Sequence, residues 1–286
     1  MVVTHRPETL ESVLRLLATD KYTLFAGGTD LMVQHPARPG IPASFDRDII
    51  FLDRIEQLNV IEVQETETGS VLCIGAGVNL STIQHSPFVP EILRLSVAKI
   101  AAPAVRNRAT LAGNICNASP AADALPALYL LNAKVILSSL EGSREVSLHD
   151  FITGPSRNAL QDNEVLTQVL IPKQDLPISF YHKVGTRAAN ALTKLSVAGL
   201  AKTEGDIIVD WRVAFGAVAP RVVRSVEIEQ RLSNKPISIL QAPGFIDAII
   251  HAYSDLICPI DDQRSSAQYR HRTSLNLLQC WLDQIG

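Results

Sequence analysis

Two short stretches of small and polar residues mark where this chain could do chemistry. The first is Gly27-Gly28-Thr29-Asp30, entered directly from the aromatic, β-favouring run 22–26 (YTLFA). A backbone without Cβ approaches an anion closely and aims successive N–H groups at it, above all where a helix begins. The second is Thr110-Leu111-Ala112-Gly113-Asn114, followed by ASPAAD at 118–123. It gathers small residues, a hydroxyl, an amide and a carboxylate, a set suited to a ligand carrying phosphates and hydroxyls. Neither segment contains GxGxxG or GxxxxGK[ST], which disfavours the dinucleotide fingerprint and the P-loop. Gly27-Gly28-Thr29 alone is read more simply as an ordinary strand-to-helix connection; the second segment raises the phosphate reading.

Other reactive side chains point elsewhere. The seven histidines, among them His5, His35, His85, His251 and His271, show no HExxH or i, i+4 ligand spacing, so no metal site is expected. Ser81, Ser119 and Ser156 lack a GxSxG context, which leaves a nucleophilic hydrolase unsupported. Cys73, Cys116, Cys258 and Cys280 fall in no C-x₂-C spacing, so no iron-sulfur cluster is expected in this chain, and four buried structural thiols are expected in preference to the alternative of a distant disulfide pair. Trp211 and Trp281 are read as core or interface residues. No catalytic acid or base is assigned.

The elements that position these stretches follow from periodicity. Pro7-Glu8 opens a helix whose stripe is Leu10, Val13, Leu14 and Leu17. Runs 22–26 and 49–52 read as strands, and 59–63 with 71–77 as a hairpin across the polar turn 64–70; a proline-bearing loop covers 36–42. Helical spacing over 90–100 runs into a basic, polar loop at 104–114, then returns over 121–131. Strands follow at 133–138, 145–148 and 164–172. Beyond a composition change at 172–177, the runs 179–184, 194–202 and 207–219 predict three antiparallel strands, and 225–232, 244–256 and 264–285 predict helices.

The chain has 286 residues, 47% of them hydrophobic and 19% charged, enough for a real core and for more than one packed unit. A net charge of −3 without a basic run argues against nucleic acid. No apolar stretch approaches the roughly 20 residues of a membrane span, since 124–137 is broken by Pro126, Asn132 and Lys134. The amino terminus is unlike a secretory signal, and a cytoplasmic location is expected.

Five segments then carry a resemblance: FAGGTDL at 25–31, IGAGVNLS at 74–81, VRNRATLAGNICNASPAAD at 105–123, YHKVGTR at 181–187 and DDQRSSAQYRHR at 261–272. In this order and spacing they resemble the FAD-binding subunit of the molybdenum hydroxylases, the group that includes xanthine dehydrogenase and carbon monoxide dehydrogenase. The resemblance implies an α+β chain. A two-part FAD-binding domain of the vanillyl-alcohol-oxidase type would occupy 1–172, with subdomains of about 1–57 and 58–172. A small α+β domain with a three-stranded antiparallel sheet and helices would occupy 177–286. It also implies that the cofactor's pyrophosphate meets Ala26, Gly27, Gly28, Thr29, Asp30 and Leu31 in one loop and Thr110, Leu111, Ala112, Gly113 and Asn114 in another. Ala118 falls in the same site; Asp123 would meet a cofactor hydroxyl, Leu24, Ile100 and Leu166 its rings, and Lys183 the flavin. By sequence alone, Lys183 reads as a solvated strand lysine.

The implied role is electron transfer: FAD in this chain takes electrons from [2Fe-2S] clusters of a small subunit and passes them to NAD or oxygen, while a molybdopterin-binding large subunit oxidises the substrate. A dimer of heterotrimers is expected. The rivals are a self-sufficient flavin oxidoreductase and a scaffold subunit that has lost FAD. The sequence departs from the family at Ala109 and Ala112, where relatives carry glycine; with φ > 0, Ala112 would cost on the order of 1 kcal/mol. Asn190 and Ala191 also depart, at positions where many relatives have an acidic residue and Ile, which leaves the acceptor open.

Overall fold

Helix formation near the amino terminus is set by a cap. Thr9, in extended backbone, accepts the Ser12 N–H on its hydroxyl at 3.2 Å, so the helix starts at Leu10 and runs to Leu17, with Thr9 rather than Pro7 at its head. The computed structural model describes residues 2–37, 40, 43–67, 69–188 and 190–286; the proline-bearing loop at 36–42 and the turn at 64–70 lie partly outside the described residues. Contacts divide the chain into two compact units. One comprises the stretch up to Val89 with Ala102–Ala118 and Ala133–Lys173; the other comprises Pro90–Ala101, Ser119–Asn132 and Gln174–Gly286.

Among the described residues, the first unit holds a small parallel sheet in the order Thr4–His5, Ile49–Phe51, Thr23–Phe25. It also holds a five-stranded antiparallel sheet in the order Ile61–Thr66, Gly69–Gly75, Val165–Pro172, Lys134–Ser139, Gly142–Ser147. The expected hairpin is present as Ile61–Thr66 paired with Gly69–Gly75. The expected loop at 104–114 is instead two short helices, Pro103–Arg106 and Leu111–Cys116. Segments of four and six residues are too short to show a 3.6-residue period, and the second is started by the Thr110 hydroxyl accepting the Gly113 N–H at 3.0 Å.

In the second unit the strands Ile178–Gly185, Thr193–Glu204 and Ile207–Gly216 pair antiparallel as expected, and a two-residue strand, Lys235–Pro236, adds a fourth at the edge. The central strand is buried almost throughout. Both of its faces are covered: a Cβ on Gly199 would meet the Trp281 indole, whereas one on Gly216, which points to the opposite face, would meet Pro126. The helices Ala124–Leu130 and Ala267–Asp283 thus take opposite sides of one sheet. On the second side Trp211 and Trp281 stack with centroids 6.4 Å apart, both fully buried, and Trp281 Nε1 donates to the Arg212 carbonyl at 3.1 Å.

Two expectations fail locally. The helix expected over 225–232 is a single turn, Val226–Glu229, ended where the chain rises to the edge strand. Cys73 is buried, but Cys258 and Cys280 are exposed, so the thiols are not a buried set. The segment DDQRSSAQYRHR forms a helix entrance: Asp262 accepts the Arg264 and Ser265 N–H groups and the Arg270 guanidinium, and Ser266 caps the helix.

Two outcomes follow from this packing. Gly199→Ala, which puts a methyl 2.5 Å from a fully buried indole, should destabilise the chain by about 1–3 kcal/mol in chemical denaturation. Arg270 holds the Asp262 carboxyl down at about 2, below the ordinary value near 3.9. Its contribution is therefore fully present above about pH 4 and lost as pH falls through 2. The stability gap between the native chain and Asp262→Asn should be open at pH 5 and close as pH falls toward and through 2.

Candidate cofactor site

The glycine turn is built by steric exclusion. Gly28 has φ +71°, and a Cβ there would lie 2.1 Å from the Phe25 ring; a Cβ on Gly27 would lie 2.2 Å from the Arg108 carbonyl and 2.9 Å from the Ala109 Cα. The first glycine is demanded by the second loop's backbone, the second by its own conformation. The second loop is tied in place from its other flank, where Leu80 N–H donates to the Ala109 carbonyl at 2.8 Å and Asn79 bridges to Thr110.

Between them lies a cavity of about 170 Å³, lined by Ala26 and Gly27 on one side, Asn107, Arg108 and Thr110 on another, and Asp53, Asn59, Gly77 and Asn79 around them. An open groove of about 620 Å³ shares Asn59, Asn79 and Asn107 with it and runs past Ser81, His85 and Phe88. The backbone N–H groups of Gly27, Gly28 and Thr29 find no acceptor among the described residues, and neither do those of Leu111 and Ala112 in the first turn of their helix. The Asn114 side-chain oxygen is buried without a partner among the described residues. Unpaired donors in two loops that supply Ala26, Gly27 and Thr110 to one small-residue cavity suit an anionic diphosphate, so these residues fit that part of a flavin dinucleotide.

The remaining expected residues are distributed as follows. Leu24 is half-buried on the strand Thr23–Phe25, and Asp30 and Leu31 lead into the short helix Leu31–Gln34. Leu166 is buried at a strand irregularity, and Ala118 is buried with φ +48°. None of these five side chains lines the cavity. Ala112 is helical and buried, and neither Ala109 nor Ala112 has positive φ. The strain attached to a methyl at 112 is therefore absent.

In the second unit, Asp123 and Lys183 meet. Lys183 Nζ donates to Asp123 Oδ2 at 2.7 Å and to the carbonyl of Lys99, the residue before Ile100, at 2.9 Å. Thr193 Oγ1 donates to Asp123 Oδ1 at 2.7 Å. The Lys183 side chain is 9% exposed, so the expected solvated lysine is a buried one. Burial pushes the Asp123 carboxyl up, while the Lys183 ammonium and the Thr193 hydroxyl pull against it. Burial and the Asp123 charge hold the Tyr181 phenol well above its ordinary value, so it remains a donor. Sequence reading passed over Asp53, Asn59, Asn79, Asn107, Arg108 and Thr193. Asn79, Asn107 and Arg108 lie inside segments singled out for their resemblance, and that was the available signal.

Comparison with known proteins is consistent from end to end. Residues 1–174 match the FAD binding domain in molybdopterin dehydrogenase, and residues 180–285 match the CO dehydrogenase flavoprotein C-terminal domain. The chain is 29% identical to the xanthine dehydrogenase FAD-binding subunit of Escherichia coli O157:H7, over 98% of this chain and 93% of that one. It is 31% identical to the glyceraldehyde dehydrogenase medium chain of Sulfolobus acidocaldarius, over 93% and 91%. Its fold matches that of carbon monoxide dehydrogenase from Hydrogenophaga pseudoflava with a TM-score of 0.85 at 24% identity, covering 99% of this chain and 96% of that one. The chain belongs to the FAD-binding subunits of the molybdenum hydroxylases of the xanthine dehydrogenase and carbon monoxide dehydrogenase type.

Proposed function

We propose that this oxidoreductase subunit relays electrons through its FAD from [2Fe-2S] clusters of a partner chain to NAD or oxygen, while a molybdopterin-binding partner oxidises the substrate. The observation that carries the reading is the pair of loops that supply Ala26, Gly27 and Thr110 to one cavity and leave five backbone N–H groups unpaired among the described residues. FAD supplies one- and two-electron exchange when bound. The chain's own residues bind and orient it. Gly27, Gly28, Thr29, Leu111 and Ala112 offer backbone donors to the diphosphate, Asn114 offers its amide, and Leu24, Ile100 and Leu166 offer apolar surface to the rings. No side chain is needed to move a proton.

The finer organisation belongs to the same proposal. A vanillyl-alcohol-oxidase type of FAD-binding domain over 1–172 and a flavoprotein domain over 177–286 are supported by family matches that end at 174 and begin at 180. A dimer of heterotrimers in the cytoplasm is the expected assembly; among the described residues no helix is long and apolar enough to cross a membrane. The scaffold alternative was motivated by Ala109 and Ala112, and their ordinary backbone conformations remove that motive.

Gly28→Val should abolish flavin retention, because a β-branched side chain resists φ > 0 and strikes Phe25. Normal flavin absorbance in the purified variant would sink the loop assignment. Loaded with FAD, the isolated chain should pass electrons from reduced nicotinamide to an artificial dye while oxidising no purine, aldehyde or N-heterocycle. Sustained turnover of any of these by the single chain, at the rate of the full complex, would instead favour a self-sufficient flavoenzyme.

A further inference from the structure

Three parallel strands of the first unit end side by side. His5 and Leu24 are both in register with Ile50, and Phe25 with Phe51, so Thr4–His5, Ile49–Phe51 and Thr23–Phe25 run in one direction and stop together. Their carboxyl ends release Arg6, Leu52-Asp53 and Ala26-Gly27 at one edge, the edge outside which parallel sheets bind ligands. Asp53 leaves the middle strand. Its neighbours across the edge are therefore Arg6 on one side and the glycine turn on the other, and Asp53 and Gly27 line the same cavity.

A carboxylate in that lining works against the site. The loops of Gly27 and Thr110 leave five backbone N–H groups without an acceptor among the described residues, an arrangement suited to an anion. An uncompensated negative charge a few ångströms away repels that anion by about the energy that changes affinity tenfold. Asp53 is compensated. Arg6 Nε donates to Asp53 Oδ1 at 3.1 Å and Arg6 Nη2 donates to Asp53 Oδ2, a two-pronged match of guanidinium and carboxylate. These bonds hold the Asp53 carboxyl below its ordinary range, so it stays ionised and its charge must be met by another. Arg54, the next residue, pairs with Glu8 at 3.4 Å. The Arg6 side chain is 54% exposed and does not line the cavity, and a pair so open to water adds little to folding stability.

We propose that Arg6 is a positioning residue of the cofactor site that does not touch the cofactor: it turns both Asp53 oxygens onto its guanidinium and cancels their charge, so that the Gly27 turn offers its N–H groups to an anionic diphosphate with no like charge on the neighbouring strand. This rests on the FAD-binding function proposed above.

The test is a double-mutant cycle on the FAD dissociation constant of the full chain, with Arg6→Gln, Asp53→Asn and the double variant, alongside thermal unfolding of the apo forms. Arg6→Gln should weaken FAD about tenfold at low ionic strength and by less in high salt. Asp53→Asn alone should not weaken FAD, and in the Arg6→Gln background it should restore most of the lost affinity, because the charge that needed cancelling is gone. A loss from Arg6→Gln that persists in the Asp53→Asn background would mean that Arg6 meets the cofactor itself. Unchanged affinity in Arg6→Gln would mean that Asp53 needs no partner, and equal falls in affinity and apo melting temperature for both single variants would mean that the pair only staples the strand Thr4–His5 to the sheet. Each of these results overturns the proposal. Should Arg6→Gln fail to fold, Arg6→Lys keeps the charge and gives up the two-pronged match; its smaller loss should vanish in the Asp53→Asn background, and its persistence there counts against the proposal equally. If Gly28→Val abolishes flavin binding while the cycle shows no rescue, the FAD function stands and only the role of Arg6 falls; a native chain that takes up no FAD removes both.

Discussion

A helix buried along its whole length must have its terminal polar groups satisfied by the protein, because no water reaches them. Ala124–Leu130 is such a helix, with every residue buried. At its tail, Arg224 donates to the Tyr129 carbonyl, Arg212 to the Leu130 carbonyl at 2.7 Å and Gln174 to the Leu131 carbonyl at 2.9 Å. Cations at this end also meet the negative pole of the helix. Each arginine needs its own counter-charge: Arg224 pairs with the buried Glu229 and Arg212 with Asp210. Glu229 in turn accepts the Val213 N–H, tying the cap to the sheet. At the head stands Asp123 with its three donors. The tail of one short helix thereby dictates where four charged residues of the second unit, Arg212, Asp210, Arg224 and Glu229, must lie.

This constraint also accounts for what could be read in the sequence. The three long strands and the last two helices were legible, because run length and composition report burial even where both sheet faces are covered and alternation disappears, as in Thr193–Glu204. The helices Pro103–Arg106 and Leu111–Cys116 were not, since a single turn has no period and Thr110 starts the second through one hydroxyl. Nor was the membership of 90–101 and 119–132 in the second unit, which depends on packing against strands some sixty or more residues away in the chain.

The candidate site shows the same division. Gly27, Gly28, Thr110 and Gly113 were legible, because a demand for glycine or for a capping hydroxyl leaves its mark on residue type. Asn59 and Asp53 were not; they are ordinary residues in ordinary company, carried to the cavity by strand ends and by the chain's fold. Thr193 could not be paired with Asp123 from seventy positions away. Nor do the resembling segments all share one task. FAGGTDL and TLAGN contribute Ala26, Gly27 and Thr110 to the cavity, whereas DDQRSSAQYRHR is accounted for by the entrance to a helix.

The close approach of Gly27 to the Arg108 carbonyl bears on how such a chain can change over time. Neither loop has slack toward the other: one has no room for a methyl group, and the other is pinned from behind by Leu80. Residues 25–31 and 105–114 are therefore inherited as one object, although some seventy positions of chain separate them. A recombinant that takes one loop from this chain and the other from a relative of about 30% identity joins two surfaces fitted to different neighbours. Crossovers before the first loop or after the second keep the fit, and crossovers between them break it.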